Sequence, residues 1–203
     1  MIATIVLAYA VIIGLDDALA GGVVRLLMLG YLLWEAVSLR DSHRMWRRSA
    51  VWVGTALAMA GLVAVNAVAS FEVTSGVVGG VSLLFTAAVI AIVGRAVVES
   101  TTIDTRMVLG VLSVYLLLAL FFASLNQLFS AFTPGGYLNG VTGLPSAADH
   151  LYFSVITMAT VGYGDITPAS QIARAVAVVE ALTGQLYLVS VVAAVIGGWH
   201  RRS

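Results

Sequence analysis

At 203 residues the chain is 61% hydrophobic and only 10% charged, against about 25% charged residues in a soluble domain. A globule of this size cannot hide that much apolar surface from water, so the chain reads as a bilayer protein. Ten basic and ten acidic residues cancel, which leaves no overall basic field for nucleic acid. Cysteine is absent, so disulfides, thiol catalysis and cysteine-based metal sites are excluded together. His43, His150 and His200 are scattered without ligand spacing, and no metal site is expected from them.

A helix crossing a bilayer needs about 20 mostly apolar residues. The apolar runs in chain order are Ile2–Leu15, Val23–Leu39, Ala50–Ala69, Val77–Val98, Met107–Phe129 and Ala169–Trp199. A half-length run, Ala147–Met158, lies between the last two. The first run is short: its apolar residues before Asp16 and Asp17 make about 21 Å of helix, below a core of about 30 Å. Ala18-Leu19-Ala20 resembles a signal-peptidase site, but no positive region precedes it, so the expectation is a short retained helix.

Arginine placement orients the chain. Arg40, Arg44, Arg47 and Arg48 fall between runs two and three, Arg95 and Arg106 flank the connection between runs four and five, and Arg201 and Arg202 follow run six. The opposite connections carry Asp16, Asp17 and Glu72, and the loop 130–149 has no basic residue. The positive-inside rule therefore places both termini in the cytoplasm. Arg25 is not assigned by it.

Residues 157–168 read Thr-Met-Ala-Thr-Val-Gly-Tyr-Gly-Asp-Ile-Thr-Pro. Within them, Thr160-Val161-Gly162-Tyr163-Gly164-Asp165 matches the potassium selectivity-filter signature, and here the chain resembles the potassium-channel family. The resemblance implies that four chains surround one axis. Backbone carbonyls of Thr160, Val161, Gly162 and Tyr163, with the Thr160 hydroxyl, then replace the water that a potassium ion sheds. Potassium is the permeant ion, and no other cofactor is implied. Lining up consecutive carbonyls needs dihedrals that L-residues avoid, which accounts for Gly162 and Gly164 alternating with side-chain-bearing residues. Val161 and Tyr163 are then expected to point outward, supported by Tyr152, Phe153, Thr157 and Asp165.

The flanks agree with that reading. Ser146 followed three residues later by Asp149 has the form of a capped helix start. The half-helix that follows would end near Met158 with its negative dipole end toward the pore centre. Thr167-Pro168 is expected to open the last span, since Pro is tolerated in a first helical turn. The sequence also departs from voltage-gated relatives, which usually carry two Trp where Tyr152 and Phe153 stand. Ile156 replaces a buried Glu found in some bacterial channels.

The expected fold class is an all-α membrane protein of six transmembrane helices, a re-entrant pore half-helix and a selectivity filter, assembled as a tetramer. Residues 1–98 resemble a four-helix voltage-sensor-like domain, 99–106 a cytoplasmic linker and 107–203 the pore domain. The stretch Glu180-Ala-Leu-Thr-Gly-Gln-Leu-Tyr-Leu188 is similar to small bacterial six-span potassium-channel proteins. A working sensor needs three to four gating charges, and run four holds only Arg95. Weak or absent voltage dependence is expected. Gly76, Gly79 and Gly80 read as close helix contacts, Asn66 as a helix–helix hydrogen bond, and Glu35 as an interfacial residue or a partner of Arg40. No appended ligand-gating domain is expected.

In the last run, Gly184 matches the hinge glycine of related pore helices. Gln185, Leu188, Val192 and Ile196 recur at three- and four-residue steps and share one helix face. The resemblance puts that face on the central cavity. Glu180 is an intramembrane carboxyl and a functional candidate by default. It is expected to face the half-helix or the fifth span and to bond Thr157, Ser154 or Tyr115. The function read from the chain is a homotetrameric potassium-selective channel in a bacterial plasma membrane, non-enzymatic, with lipid and potassium as partners and no nucleic acid. A weakly selective cation channel, a transporter with several filter-like loops and a non-conducting regulatory membrane subunit are the alternatives.

Overall fold

The computed structural model describes residues 2–13, 30–31, 71–99, 105–133 and 136–199. The expected third span, nearly all of the second, the Arg40–Arg48 cluster, Arg25, Glu35, Asn66, His43 and residues 200–203 lie outside them. The described chain is mostly helical: α1 (Ile2–Ile13), α2 (Phe71–Val98), α3 (Thr105–Ser130), β1 (Leu138–Asn139), α4 (Ala147–Met158), β2 (Thr167–Pro168) and α5 (Gln171–Trp199). Three helices among the described residues are long and apolar enough to cross a membrane, over Val73–Val98, Met107–Ser130 and Gln171–Val191. With 12 residues, α4 extends only about 18 Å and cannot cross alone.

The fourth helix was expected from Val77 and starts instead at Phe71. Its small polar and glycine-rich first turns are a packing surface, as expected for Gly76 and Gly79. A Cβ on Gly76 would stand 2.8 Å from Ala131 Cβ, and one on Gly79 2.8 Å from the Leu128 backbone nitrogen. Gln127 Nε2 donates to Ser75 Oγ at 3.1 Å across the same seam. At the far end of the pair, a Cβ on Gly110 would reach Val97 Cγ2 at 2.9 Å. Helices α2 and α3 therefore form an antiparallel hairpin in contact along its whole length.

One apolar core joins α1 through Ile5, α2 through Val89 and Val93, α3 through Val114, Leu117, Leu120 and Ala123, and α4 through Leu151. The half-helix α4 is thus enclosed by α1, α3 and α5 rather than standing free. Its start is fixed as the sequence indicates: the Asp149 amide donates to Ser146 Oγ at 3.2 Å and the Ser146 amide to Asp149 Oδ2 at 2.8 Å, a complete capping box.

One expectation is corrected at β2. Thr167-Pro168 does not open the last helix; it pairs antiparallel with Leu138-Asn139, in the register Leu138 with Pro168 and Asn139 with Thr167. A residue before Pro is pushed toward extended backbone, and Pro, which lacks a donor, is tolerated at such a short edge. The Ala169 amide donates to the Tyr137 carbonyl at 3.0 Å. Helix α5 begins at Gln171, where Ser170 Oγ accepts from the Ala173 amide at 3.1 Å. The described residues are mostly helical, and this two-residue ladder closes the loop onto the segment leaving the motif.

The glycine seam yields a direct test. Gly79→Val should force α2 from α3 and cost about 1–3 kcal/mol by overpacking. Gly94, whose Cβ would meet nothing within 4 Å, should accept Ala with no loss. Thermal unfolding of the detergent-purified variants measures both; equal melting of Gly79→Val and wild type would contradict the packing.

Candidate functional site

The site is built where α4 ends. A helix terminus leaves four carbonyls without intrahelical partners, and inside a bilayer water cannot supply them. Here all four are taken by protein groups. Val155 O accepts from the Ala159 amide at 2.9 Å and Thr157 O from the Thr160 amide at 3.0 Å. Ile156 O accepts from the amides of Val161 at 2.8 Å and Gly162 at 3.3 Å. Met158 O accepts from the Tyr115 hydroxyl of α3 at 3.2 Å. The first amides of the Thr160–Asp165 segment are therefore tied back to α4, which leaves the Thr160–Gly164 backbone to run on from a fixed point.

That backbone alternates in hand. Thr160 has φ 57°, Gly162 52° and Gly164 82°, while Val161 and Tyr163 keep negative φ. A Cβ at Gly162 or Gly164 would meet nothing within 4 Å, so φ, not space, favours glycine there. Thr160 takes the same left-handed conformation with a side chain, a feature the glycine pattern did not indicate. Thr160 through Gly164 are exposed in the single chain, Tyr163 at 72%.

The expected supporting residues occupy different positions. Tyr152 donates its hydroxyl to Asp165 Oδ2 at 2.7 Å, joining α4 to the far end of the motif. This bond holds the Asp165 carboxyl below its usual range and, with burial adding to it, pushes the Tyr152 phenol up to about 12. Phe153 is buried against Tyr137, Leu138 and Ala173. Thr157 contributes the carbonyl described above. Across the mouth, Gly140 has φ +87°, and a Cβ there would collide with the Asp165 carbonyl; the loop before α4 closes on the motif's last residue.

The inner side is formed by α5. Gln185 Nε2 lies 3.4 Å from Thr160 Oγ1, and Leu188 follows one turn later, half-buried. Val192 lies within α5, with its side chain outside the described residues. Helix α5 runs unbroken through Gly184. A Cβ on Gly184 would stand 2.6 Å from Met158 O and 2.7 Å from Met158 Cγ, so this glycine admits the end of α4 against α5.

Glu180 is fully buried, off the stripe of Gln185. Of its expected partners, Ser154 is joined to the carboxyl through the amide of Asn126, whereas the Tyr115 hydroxyl is engaged by Met158 O instead. No bond to Thr157 occurs among the described residues. The partner missed is Asn126 of α3, whose Nδ2 donates to Glu180 Oε2 at 3.2 Å and to Ser154 Oγ at 3.0 Å. Tyr137 completes the group by donating to Asn126 Oδ1 at 2.7 Å. Burial, and after it the Glu180 charge, raises the Tyr137 phenol above its ordinary value, which keeps it a donor. The available signal was an amide within an otherwise apolar span, the criterion already applied to Asn66.

A family profile described as an ion channel matches residues 110–199, the segment from α3 through α5. The chain belongs to this ion-channel family, a family of membrane proteins and not of enzymes. It is 32% identical over 93 residues to Protein LctB of Bacillus caldotenax, covering 43% of this chain and 69% of that protein. It is 36% identical over 68 residues to two pore potassium channel c of Oryza sativa subsp. japonica, covering 34% of this chain but only 15% of the rice protein. The matched region is thus a small part of the rice relative. No solved structure matches the chain.

The Tyr152–Asp165 bond predicts a pH signature. A carboxyl held below its ordinary value contributes stability that is present above that value, about 3.9, and is lost as pH falls through the depressed one. Tyr152→Phe should melt below wild type at pH 6, with the difference vanishing once the pH is well below 4. A difference independent of pH would contradict the assignment.

Proposed function

We propose that the chain is one subunit of a homotetrameric, potassium-selective channel, with Thr160, Val161, Gly162, Tyr163 and Gly164 as its selectivity filter. The observation that carries this reading is the alternation of left-handed φ at Thr160, Gly162 and Gly164 within a Thr-Val-Gly-Tyr-Gly motif at the end of a half-length helix. Such an alternation turns successive carbonyls toward one side, as a ring of ion-coordinating oxygens requires. The ring needs four copies of the chain. Similarity to a rice protein named as a potassium channel points the same way.

Potassium is the permeant ion and crosses passively, without a catalytic residue. Leu188 and Val192 of α5 line the inner cavity below Gln185, and Gly184 serves as its hinge; Tyr152, Phe153, Thr157 and Asp165 support the filter. Residues 1–98 are read from the sequence as a voltage-sensor-like domain with little voltage response. Arg95, in the last turn of α2, is the one basic residue of that helix, and the glycine contacts from Gly76 to Gly110 oppose sliding of α2 along α3. The arginine distribution supports cytoplasmic termini, and similarity to a Bacillus protein supports a bacterial plasma membrane.

Reconstitution of Gly162→Ala beside wild type tests the filter. The added methyl meets no neighbour, and the left-handed backbone costs an L-residue roughly 1–2 kcal/mol. The variant tetramer should assemble and lose selective potassium flux. Unchanged conductance and permeability ratios would remove residues 160–164 from the filter.

A further inference from the structure

We infer that Asn126 is the positioning residue of the filter, fixing both the segment that enters it and the segment that leaves it to the two flanking helices. The inference rests on the channel reading above. Asn126 is fully buried on α3, and so are Ser154 on α4 and Glu180 on α5, while Tyr137 is 1% exposed. Three of its hydrogen-bonding positions are occupied. Oδ1 accepts from Tyr137, and the two protons of Nδ2 go to Ser154 and Glu180.

The three bonds lead to different pieces of the pore. Ser154 lies on α4 one turn before Met158, so its bond sets the depth of the helix end from which Thr160 departs. Tyr137 borders the ladder that pairs with Thr167-Pro168, and its carbonyl holds the Ala169 amide; this bond sets where the chain goes after Asp165. Glu180 anchors the same amide to α5 one turn before Gly184, where α5 meets Met158. A filter is a short backbone stretched between two ends, and one side chain here holds both ends and the inner helix. The amide is needed rather than any polar group, because the site presents one donor from above and two acceptors from the sides. Only an amide offers one acceptor and a two-proton donor in that volume.

This polarity dictates a rescue pattern. Asn126→Asp has the same shape but no donor, and it sets a second carboxyl against Glu180. Glu180→Gln keeps an acceptor oxygen for Asn126. Combining the two substitutions restores the connection with donor and acceptor exchanged: the introduced amide donates across to the introduced carboxyl, Ser154 turns its proton to the same carboxyl, and Tyr137 still donates to it.

The test is the potassium-over-sodium permeability ratio from bi-ionic reversal potentials of purified, reconstituted tetramers, with wild type measured in parallel. Asn126→Asp should lower the ratio at least tenfold, Glu180→Gln should stay within about threefold of wild type, and the double variant should return to within about threefold. Tyr137→Phe and Ser154→Ala each remove one arm without adding charge and should each lower the ratio; they decide the matter if Asn126→Asp does not assemble. A wild-type ratio in both of these, a wild-type ratio in Asn126→Asp, or a double variant as impaired as Asn126→Asp overturns the positioning role while the channel reading stands. A wild-type protein that assembles but passes no potassium overturns that reading, and the positioning role with it.

Discussion

Backbone that leaves a helix inside a bilayer has nowhere to send its amides and carbonyls except to protein or to a water-filled path. The end of α4 meets that demand with protein. Its last four carbonyls bind the next amides of the chain and the Tyr115 hydroxyl, so the motif starts from a fully satisfied terminus. From there to Gly164 the chain is non-helical and exposed in the single subunit. On the proposed reading its carbonyls face an aqueous axis. The rest of the pore unit follows from keeping that short stretch in place: a capping box at one end of α4, the Tyr152–Asp165 bond beside the motif, and the ladder closing behind it.

Close packing supports the same end. Glycines sit where backbones or side chains must nearly touch: Gly79 on the Leu128 nitrogen, Gly184 on Met158 O, Gly140 on the Asp165 carbonyl. Without a hydrophobic drive between helices in lipid, such approaches carry association through dispersion and buried hydrogen bonds. The four-residue knot around Asn126 supplies the hydrogen bonds, with two of its members on helices long enough to cross the membrane. Its location, away from the Gln185 stripe, separates the groups that hold the pore from those proposed to line it.

Much of this was legible in the residues. Alternating glycines within Thr-Val-Gly-Tyr-Gly, the Ser146-Asp149 pair and the apolar lengths pointed to the half-helix and its neighbours, because these are local patterns with local causes. Thr167-Pro168 was misread because Pro is equally at home in a first helical turn and on a strand edge; the choice depends on Leu138-Asn139, which lies 29 residues earlier. The reading of Gly76 and Gly79 as close contacts holds, with Ala131 and Leu128 of α3 as their neighbours; α2 starts before the apolar run at Val77 because its first turns pack on α3 although Glu72, Thr74 and Ser75 interrupt the apolar pattern. Glu180 was recognised as significant, but its partner Asn126 is 54 residues away, and only tertiary packing selects among the polar groups within reach. Thr160 at positive φ is similar: its conformation is imposed by the anchored end of α4 rather than by its own preference.

On the proposed reading, four copies of this chain enclose a potassium-selective path. Purified wild-type protein in planar bilayers, with potassium on one side and sodium on the other, tests it most directly. Single-channel currents should appear with a reversal potential far toward the potassium equilibrium value. Currents reversing near zero, or assembled protein that passes no current, would contradict it.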